Sequence, residues 1–209
     1  MERELRCGHS LTKAGLEVML LELELDGALI IIKNSRILRK DTIIPMDFPP
    51  VSHTPYRPGY DWLFTYEREL ARFLETWLKD FRHELIGEKG ILSEALSNAF
   101  CHGNQRDALI PIEISVYQGD LGIIVKIEDS GEGFNVNELR KKFERGKDYF
   151  HLAGNGFRRM MFSDNLGVFY NLSGNAFHLL YLFHGNIASL AVGSHKNRTE
   201  DKDIKEFSI

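Results

Sequence analysis

Two amphipathic stripes mark the helices that the sequence predicts most clearly. Between residues 65 and 82 apolar side chains recur at i, i+3, i+4 and i+7, the spacing of one helix face; they are Tyr66, Leu70, Phe73, Leu74, Trp77, Leu78 and Phe81. Residues 88–102 carry a second such stripe, made of Leu92, Ala95, Leu96, Ala99 and Phe100. A third, short helix is predicted near residues 156–162.

Alternating apolar and polar positions predict strands between these helices. Residues 110–118 and 121–129 alternate and form one hairpin, and residues 167–172 and 176–183 form a second. A further strand is predicted at residues 187–192. Helices interspersed with antiparallel hairpins predict an α+β fold, a two-layer sandwich of about three helices on one face of a mixed, mostly antiparallel sheet.

The N-terminal residues predict a separate, β-rich segment. Two short apolar runs flank a hairpin turn signal at Asp26-Gly27, and a third strand is predicted at residues 37–44. A meander of this size buries too little surface to stand alone, so we expect it to pack on the main domain or on a second copy. Five of the six prolines lie between Pro45 and Pro58, a composition that favours a linker.

The resulting domain division has four parts. A β-rich extension would occupy residues 1–45, the linker residues 46–58, the main domain residues 59–193, and a polar tail residues 194–209.

Composition and charge exclude several classes of function. The net charge is −4, so no basic excess favours direct binding of nucleic acid. No apolar run reaches the ~18 to 20 residues needed to cross a membrane, and the N-terminus lacks the apolar core of a signal peptide. The two cysteines, Cys7 and Cys101, form no disulfide framework. These features predict a cytoplasmic protein.

A polar stripe on the second predicted helix is the first candidate for chemistry. Glu94 and Asn98 lie one turn apart, so both can act on one ligand. A carboxylate there can serve as a general base, and an amide oxygen is a suitable ligand for Mg²⁺. The same spacing also fits an ordinary solvated helix face.

Two glycine-rich segments follow. Asp129-Ser130-Gly131-Glu132-Gly133-Phe134 ends a predicted strand, where an aspartate can accept a hydrogen bond from an exocyclic amine and glycines let the backbone approach a flat ligand. Gly154-Asn155-Gly156 precedes a predicted helix, the arrangement that presents backbone N–H groups to phosphates. Each segment by itself also fits an ordinary turn or loop. The 20 residues between Gly133 and Gly154 include several basic side chains and would suit a flap. Their first half, residues 136–143, fits a short solvated helix equally well.

Taken together, these segments resemble the GHKL ATPase superfamily between residues 56 and 183. Residues 94–104 (Glu-Ala-Leu-Ser-Asn-Ala-Phe-Cys-His-Gly-Asn) are similar to its N box, residues 129–134 to its G1 box, and residues 154–157 to its G2 box. Within the superfamily the chain is most similar to bacterial anti-sigma factor serine/threonine kinases, through His102-Gly103 at the end of the N box and the single Gly-x-Gly of the G2 box.

The resemblance implies an ATP-binding fold of the Bergerat type and a role for each matching residue. Glu94 would be the general base, Asn98 would hold Mg²⁺, and Asp129 would bind the adenine amine. His102 would either touch the nucleotide or cap its own helix. The remaining residues expected to contact the base or the phosphates are Gly131, Gly133, Phe134, Gly154, Asn155 and Gly156. One departure is visible: the family often has a hydroxyl residue just after the hairpin glycine, where this chain has Asn175 and Ala176.

The function implied by the resemblance is an ATP- and Mg²⁺-dependent regulatory protein serine/threonine kinase of the anti-sigma type. Its partners would be a small regulatory protein of the anti-anti-sigma kind and a sigma factor, and it would form a homodimer. Two alternatives stay open. One is a non-enzymatic ATP-binding regulatory module, and the other is a stand-alone catalytic domain related to sensor histidine kinases.

Overall fold

The computed structural model describes residues 23–48, 61–78, 85, 90–138, 165–184 and 187. A π-helical turn at Ala99–Gly103 directly follows the helix that ends at Asn98. In chain order the elements are α1 (Leu25–Ile32), β1 (Arg36–Ile43), a 3₁₀ turn (Pro45–Asp47), α2 (Asp61–Leu78), α3 (Ile91–Asn98), β2 (Ile112–Gln118), β3 (Gly122–Glu128), β4 (Leu166–Tyr170) and β5 (Ala176–Leu182). Among the described residues, no helix is long and apolar enough to cross a membrane.

The five strands form one sheet in the order β1-β2-β3-β5-β4, and every neighbouring pair is antiparallel. The sheet therefore consists of two hairpins, β2–β3 and β4–β5, placed side by side, with β1 added at one edge. This arrangement confirms the predicted α+β sandwich and both hairpins.

The main core lies between one face of the sheet and the helices α2 and α3. Tyr66, Leu70 and Leu74 of α2 are buried, and Leu92 and Leu96 of α3 are fully buried in the same cluster. The sheet contributes alternate residues of its strands, among them Ile114, Val116, Ile123, Val125, Ile127, Val168 and Leu179. The predicted helical stripes thus face the sheet, although α2 begins at Asp61, four residues before its predicted start.

The prediction of a β-meander at the N-terminus is wrong in the residues that the structure describes. Residues 25–32 form the helix α1, where a turn and a strand are predicted from the sequence. A short apolar run fits a strand and a buried helix equally well, so periodicity alone does not decide. Ala28 and Ile32, one turn apart, are fully buried against the opposite face of the sheet, and this burial favours the helix.

Helix α1 therefore covers the sheet face that α2 and α3 leave open. Its partners are a second apolar cluster, which includes Ile124, Phe169, Leu180, Leu182 and Ile187. The sequence predicts helices on one face of the sheet only. Helix α1, on the opposite face, is not predicted. The third predicted N-terminal strand is present as β1.

Strand β1 is tied to α2 by polar contacts as well as by its pairing with β2. Arg39 donates to Asp41 and to Glu69 of α2, both at 2.5 Å, and the Tyr66 hydroxyl donates to Asp41 at 2.5 Å. The Arg39 guanidinium also lies over the Phe73 ring, 5.3 Å from its centroid. Through these contacts the residues before the proline-rich stretch pack on the main sheet. This is the first of the two predicted arrangements, in which the N-terminal segment packs on the main domain and not on a second copy.

Several predicted elements lie outside the described residues. They are the third helix near residues 156–162, most of the strand at residues 187–192, and the tail from residue 194. The division of the chain into an extension, a linker, a main domain and a tail stays a prediction.

A buried histidine on the α1 face of the sheet makes the fold sensitive to acid. His178 is fully buried and stacks on Phe169 with ring centroids 4.4 Å apart. Neither ring nitrogen has a hydrogen-bond partner among the described residues. Burial, followed by the positive charge of Lys126 directly across the β3–β5 ladder, lowers the pKa of His178 to about 4.

Acidification should therefore destabilise the fold through His178. The unfolded chain binds this proton near pH 6.5, whereas the folded chain binds it near pH 4, so stability falls as the pH drops from 6.5 towards 4. Between pH 7 and pH 5 we expect a loss of about 2 kcal/mol in the free energy of unfolding. Urea unfolding at the two pH values measures this loss.

His178→Phe keeps the stacking ring and cannot ionise, so most of the loss should disappear in this variant. His184→Gln, a change at an exposed position, is the matched control and should keep the parent's loss. An equal pH dependence in the His178→Phe variant and the parent would exclude His178 as its source.

Candidate functional site

The C-terminal end of α3 continues into a π-helical turn that changes the direction of the helix. The Asn104 N–H donates to the Ala99 carbonyl at 2.8 Å, five residues back, and the Arg106 N–H donates to the Phe100 carbonyl at 2.8 Å. Gln105 and Arg106 then adopt left-handed backbone angles. Single π-helical turns of this kind are frequent at functional sites. Here the turn brings Gly103 against the end of β3.

Gly103 and Asp129 are in direct contact. A Cβ atom added to Gly103 would overlap the carboxyl group of Asp129, and one added to Gly131 would overlap the Gly103 carbonyl. The backbone angles of Gly103 and Gly131 are not left-handed, so neither position needs glycine for its conformation. Both are glycines because the helix end and the strand end meet without space for a side chain.

Asn104 stabilises the contact between Gly103 and the loop after β3. Its side chain is buried and donates to the carbonyls of Ile110 and Pro111, at 3.0 and 3.1 Å, while its Oδ1 accepts from the Ser130 N–H at 3.0 Å. One side chain thus holds the helix end, the start of β2 and the loop after β3 together. A buried amide with three hydrogen bonds is a rigid support for that loop.

The Asp129 carboxylate is half-buried and partly used by its own loop. Its Oδ1 accepts from the Gly131 N–H at 2.9 Å, which leaves the other oxygen without a hydrogen-bond donor among the described residues. Burial raises the pKa of Asp129, the hydrogen bond from Gly131 lowers it, and the nearby charge of Glu128 raises it. The site therefore offers one carboxylate oxygen as an acceptor at this edge of the sandwich.

Glu94 and Asn98 lie one turn apart on α3. The Asn98 amide group donates to Glu94 Oε1 over a long 3.5 Å, so its oxygen is turned away from the carboxylate. Burial raises the pKa of Glu94, while the hydrogen bond from Asn98 and the exposed His102 lower it. The predicted pair is thus half-buried rather than fully solvated, and it presents a carboxylate and an amide oxygen side by side.

Tyr170, at the end of β4, lies near both carboxylates. Burial raises the pKa of its hydroxyl, and the charges of Glu94 and Asp129 raise it further, so the phenol is within electrostatic reach of both. Its ring packs edge-on against Phe134, with centroids 4.9 Å apart, and against Phe177 at 5.6 Å. The two predicted acidic residues are therefore neighbours of one aromatic side chain.

Gly133 and Gly174 form a second close approach, between the loop after β3 and the β4–β5 turn. Both have left-handed φ angles, of 73° and 76°. A Cβ on Gly133 would overlap the Ser173 carbonyl, and one on Gly174 would overlap the Phe134 carbonyl. The Phe134 N–H donates to the Ser173 carbonyl at 3.1 Å. Gly133 thus has a structural reason to be glycine, independent of any ligand.

The predicted site residues divide into two groups. Glu94, Asn98, His102, Asp129 and Gly131 come from α3, the π-helical turn and the end of β3, which meet at one edge of the sandwich. Phe134 is 40% exposed beside Tyr170, close enough to this edge to contact a ligand there. The G2 segment, residues 154–156, and most of the basic stretch before it lie outside the described residues.

The structure adds residues that are not assigned from the sequence. Gly103 and Asn104 belong to the N-box segment, but their contacts with Asp129 and Ser130 span more than 25 residues of sequence and leave no local pattern. From the sequence, Tyr170 is predicted only as a strand residue. In the sequence Asn175 is a departure from the family pattern. Its hydrogen bond to the Asp129 main-chain carbonyl is a result of the fold and could not be predicted.

Comparison with known proteins gives a consistent group of relatives. Anti-sigma F factors from Bacillus thuringiensis (strain Al Hakam), Bacillus mycoides (strain KBAB4) and Bacillus cereus (strain AH187) are each 36% identical to this chain over 107 residues. The match covers 49% of this chain and 73% of each relative.

No family model matches the chain, and no solved structure matches it significantly. The identity to the relatives, over nearly three quarters of their length, is sufficient to assign the family. The chain belongs to the anti-sigma F factor family.

Proposed function

We propose that this chain is an ATP- and Mg²⁺-dependent regulatory protein serine/threonine kinase of the anti-sigma type. One observation carries the proposal: the turn after α3 meets the end of β3 so closely that Gly103 lies against the Asp129 carboxylate, and Glu94 and Asp129 both lie within electrostatic reach of Tyr170. An acceptor for a base and a candidate general base at one edge of the sandwich support this proposal. The similarity to anti-sigma F factors supports the regulatory class.

The adenine base would bind at the Asp129 end. A carboxylate oxygen accepts a hydrogen bond from an exocyclic amine, and the glycine backbone of residues 103 and 131 keeps the approach free of side chains. The half-exposed ring of Phe134 offers an apolar surface beside it. A flat apolar ligand with one amine fits such a surface.

The phosphates and the metal would lie at the Glu94 end. The Asn98 amide oxygen, turned away from Glu94, is a suitable hard ligand, and Mg²⁺ takes few protein ligands when phosphates supply the others. When bound, Mg²⁺ would neutralise charge on the phosphates. Glu94 would accept the proton of the attacking serine or threonine hydroxyl as the new O–P bond forms and the bond to the leaving diphosphate breaks. The G2 segment at residues 154–156 would add backbone donors to the phosphates.

The proposed partners are of the kinds that an anti-sigma kinase would bind. The kinase would phosphorylate a small regulatory protein and hold a sigma factor, and it would act as a homodimer. In the described residues β1 has a neighbour on one side only, and its exposed Ile37 leaves an edge at which a second chain could pair. A pull-down from the native host, followed by phosphorylation of the captured protein, tests the choice of partner.

Asp129→Asn should weaken ATP binding. The substitution keeps the size of the side chain but replaces a charged acceptor with a neutral amide, and a hydrogen bond to a charged group contributes about 1.5–3 kcal/mol. We expect a rise in the ATP Kd of about tenfold or more, measured by calorimetry with Mg²⁺ present.

Glu128→Gln is the matched control for this change. Glu128 is the preceding residue, and its carboxylate pairs with Lys126 at 2.5 Å. The control should bind ATP like the parent. Parent-like affinity in the Asp129→Asn variant would show that the base does not bind at Asp129.

Glu94→Gln should abolish phosphotransfer while ATP binding stays close to that of the parent. A positioned general base contributes about 10²–10⁴-fold to a rate. In the parent the rate should also rise with pH through the raised pKa of Glu94, because only the ionised carboxylate accepts a proton. The variant should lack this rise. Single-turnover transfer of labelled phosphate, followed over a pH series, measures both effects.

The same measurement separates the alternatives. A parent protein that binds ATP but transfers no phosphate to any captured partner would support a non-enzymatic binding module. An acid-labile product would indicate phosphohistidine, as expected of a relative of the sensor histidine kinases. A Glu94→Gln variant that transfers phosphate at the parent's rate would exclude Glu94 as the base.

Gly103→Ala should weaken ATP binding by displacing the Asp129 carboxylate. The added methyl group overlaps that carboxyl group, and overpacking of this kind costs about 1–3 kcal/mol. We expect a lower ATP affinity in calorimetry and a lower melting temperature. Gly27→Ala in α1 is the control, since its methyl group meets only the flexible end of Leu23, at 3.1 Å. Unchanged affinity in the Gly103→Ala variant would contradict the proposed position of the base.

A further inference from the structure

A carboxylate lies buried where α2 packs against α3. Glu67 of α2 is only 7% exposed, and the residues one turn before and after it on the helix, Leu63 and Ala71, are buried as well. In the described part of the chain no other Asp or Glu side chain is buried to this degree. The removal of a charged group from water is costly unless hydrogen bonds or an opposite charge compensate it, so the position of Glu67 needs an explanation.

Glu67 receives a hydrogen bond from the first turn of α3. The Ser93 hydroxyl donates to Glu67 Oε2. Among the described residues no cation forms an ion pair with Glu67, and the exposed Arg68 acts on it only through its charge. Burial raises the pKa of Glu67, while the Ser93 hydrogen bond and the Arg68 charge lower it. An apolar side chain of similar size would fit here without the cost of a buried charge, so stability alone does not account for this carboxylate.

The hydrogen bond joins α3 to α2 at the residue before the candidate base. Ser93 directly precedes Glu94, and both lie in the first turn of a helix that is only eight residues long. The N-cap of this helix, Gly90, makes no side-chain capping bond. The other end of α3 is held through Asn104, after the π-helical turn. The bond from Ser93 to Glu67 therefore fixes the start of α3 relative to α2.

We propose that Glu67 is a positioning residue: through Ser93 it fixes the rotation of α3 about its axis, and with it the direction in which Glu94 faces. This inference rests on the proposed kinase function, in which Glu94 is the general base. Successive side chains leave a helix about 100° apart, so a contact that holds Ser93 also holds the next residue. A general base has to lie within hydrogen-bond reach of the proton that it accepts, so a small rotation of the helix is sufficient to misplace it.

Two substitutions remove the same hydrogen bond but affect the fold differently. Ser93→Ala leaves the Glu67 carboxylate buried without its donor, which destabilises the fold. Glu67→Leu removes the buried charge as well, so this variant should melt at a higher temperature than Ser93→Ala. If the hydrogen bond served only stability, phosphotransfer by the folded protein would stay at the parent's rate in both variants.

The proposed role predicts the same loss of rate in both variants. We expect single-turnover phosphotransfer to fall by about ten- to hundredfold in Ser93→Ala and in Glu67→Leu, the range for a misplaced catalytic group. The double variant should lose no more than either single one, because all three lack the same contact. The Kd for ATP should stay at the parent's value, since the Asp129 loop is held by Asn104 and not by Glu67.

The titration of Glu94 gives a second readout, which needs no phosphotransfer. Burial raises the pKa of this carboxyl group, and Asn98 and His102 lower it, so the loss of the Glu67 charge has no direct effect. If α3 turns, Glu94 becomes more exposed and its pKa should fall towards its ordinary value in both variants. NMR of isotope-labelled side-chain carboxyl groups, with the Glu94 signal assigned through Glu94→Gln, measures this change.

Two further variants are the controls. Glu67→Gln keeps an oxygen that accepts from Ser93, so it should transfer phosphate at close to the parent's rate. Glu69→Leu removes a carboxylate two residues further along the same helix, which is 54% exposed and pairs with Arg39 instead of α3. This variant should keep both the rate and the titration of Glu94.

The outcomes separate this inference from the proposed function. A parent that transfers no phosphate contradicts the kinase function, and the titration of Glu94 still decides whether Glu67 positions it. A Glu94 titration that is unchanged in both Ser93→Ala and Glu67→Leu overturns the positioning role. A parent-like rate in either variant, when the parent is active, overturns it as well.

Discussion

The candidate site depends on one contact between the ends of two secondary-structure elements: the π-helical turn after α3 packs against the residues that follow β3. The contact exists because Gly103 and Gly131 lack side chains, and it is held in place by the buried Asn104 amide. Hydrogen bonds from a fully paired buried amide are costly to break, since each orphaned group would stay desolvated. The position of the Asp129 loop relative to the end of α3 is therefore set by backbone packing, not by flexible side chains.

The sandwich around this contact explains why the carboxylates keep unusual protonation behaviour. α2 and α3 bury one face of the sheet, so Glu94 and Asp129 lie at the rim of an apolar core and their pKa values rise mainly through burial. The Tyr170 ring, packed against Phe134, lies near both. A raised carboxylate pKa suits the role of proton acceptor that we propose for Glu94.

Much of the fold could be predicted from the sequence because its helices and hairpins carry strong periodic patterns. α2 and α3 have one apolar stripe each, residues 110–118 and 121–129 alternate, and the turn at residues 173–175 marks the second hairpin. α1 could not be predicted, since eight residues with a central apolar run fit either structure and only packing against Ile124 and Leu180 decides. The relation to anti-sigma factors, inferred from His102-Gly103 and the single Gly-x-Gly at residues 154–156, is confirmed by the relatives. Kinase activity and membership of the wider GHKL superfamily, which the three motifs indicate, stay predictions.

The candidate site was less predictable than the fold, for a physical reason. Glu94, Asn98 and Asp129 are residue types whose chemistry can be read locally, and the fold brings them to one edge. The supports of the site, Asn104 and Asn175, act through hydrogen bonds to residues 26 and 46 positions away. Nothing in the local sequence distinguishes such asparagines from those of ordinary turns.

The helix α1 has a practical consequence for work with shortened versions of this protein. A recombinant fragment trimmed at the proline-rich stretch would lack both α1 and the edge strand β1. It would leave Ile124, Leu180 and Leu182 open to water on one side and the outer backbone of β2 unpaired on the other. Uncovered apolar surface beside a bare strand edge promotes self-association, so a soluble fragment has to begin before Leu25.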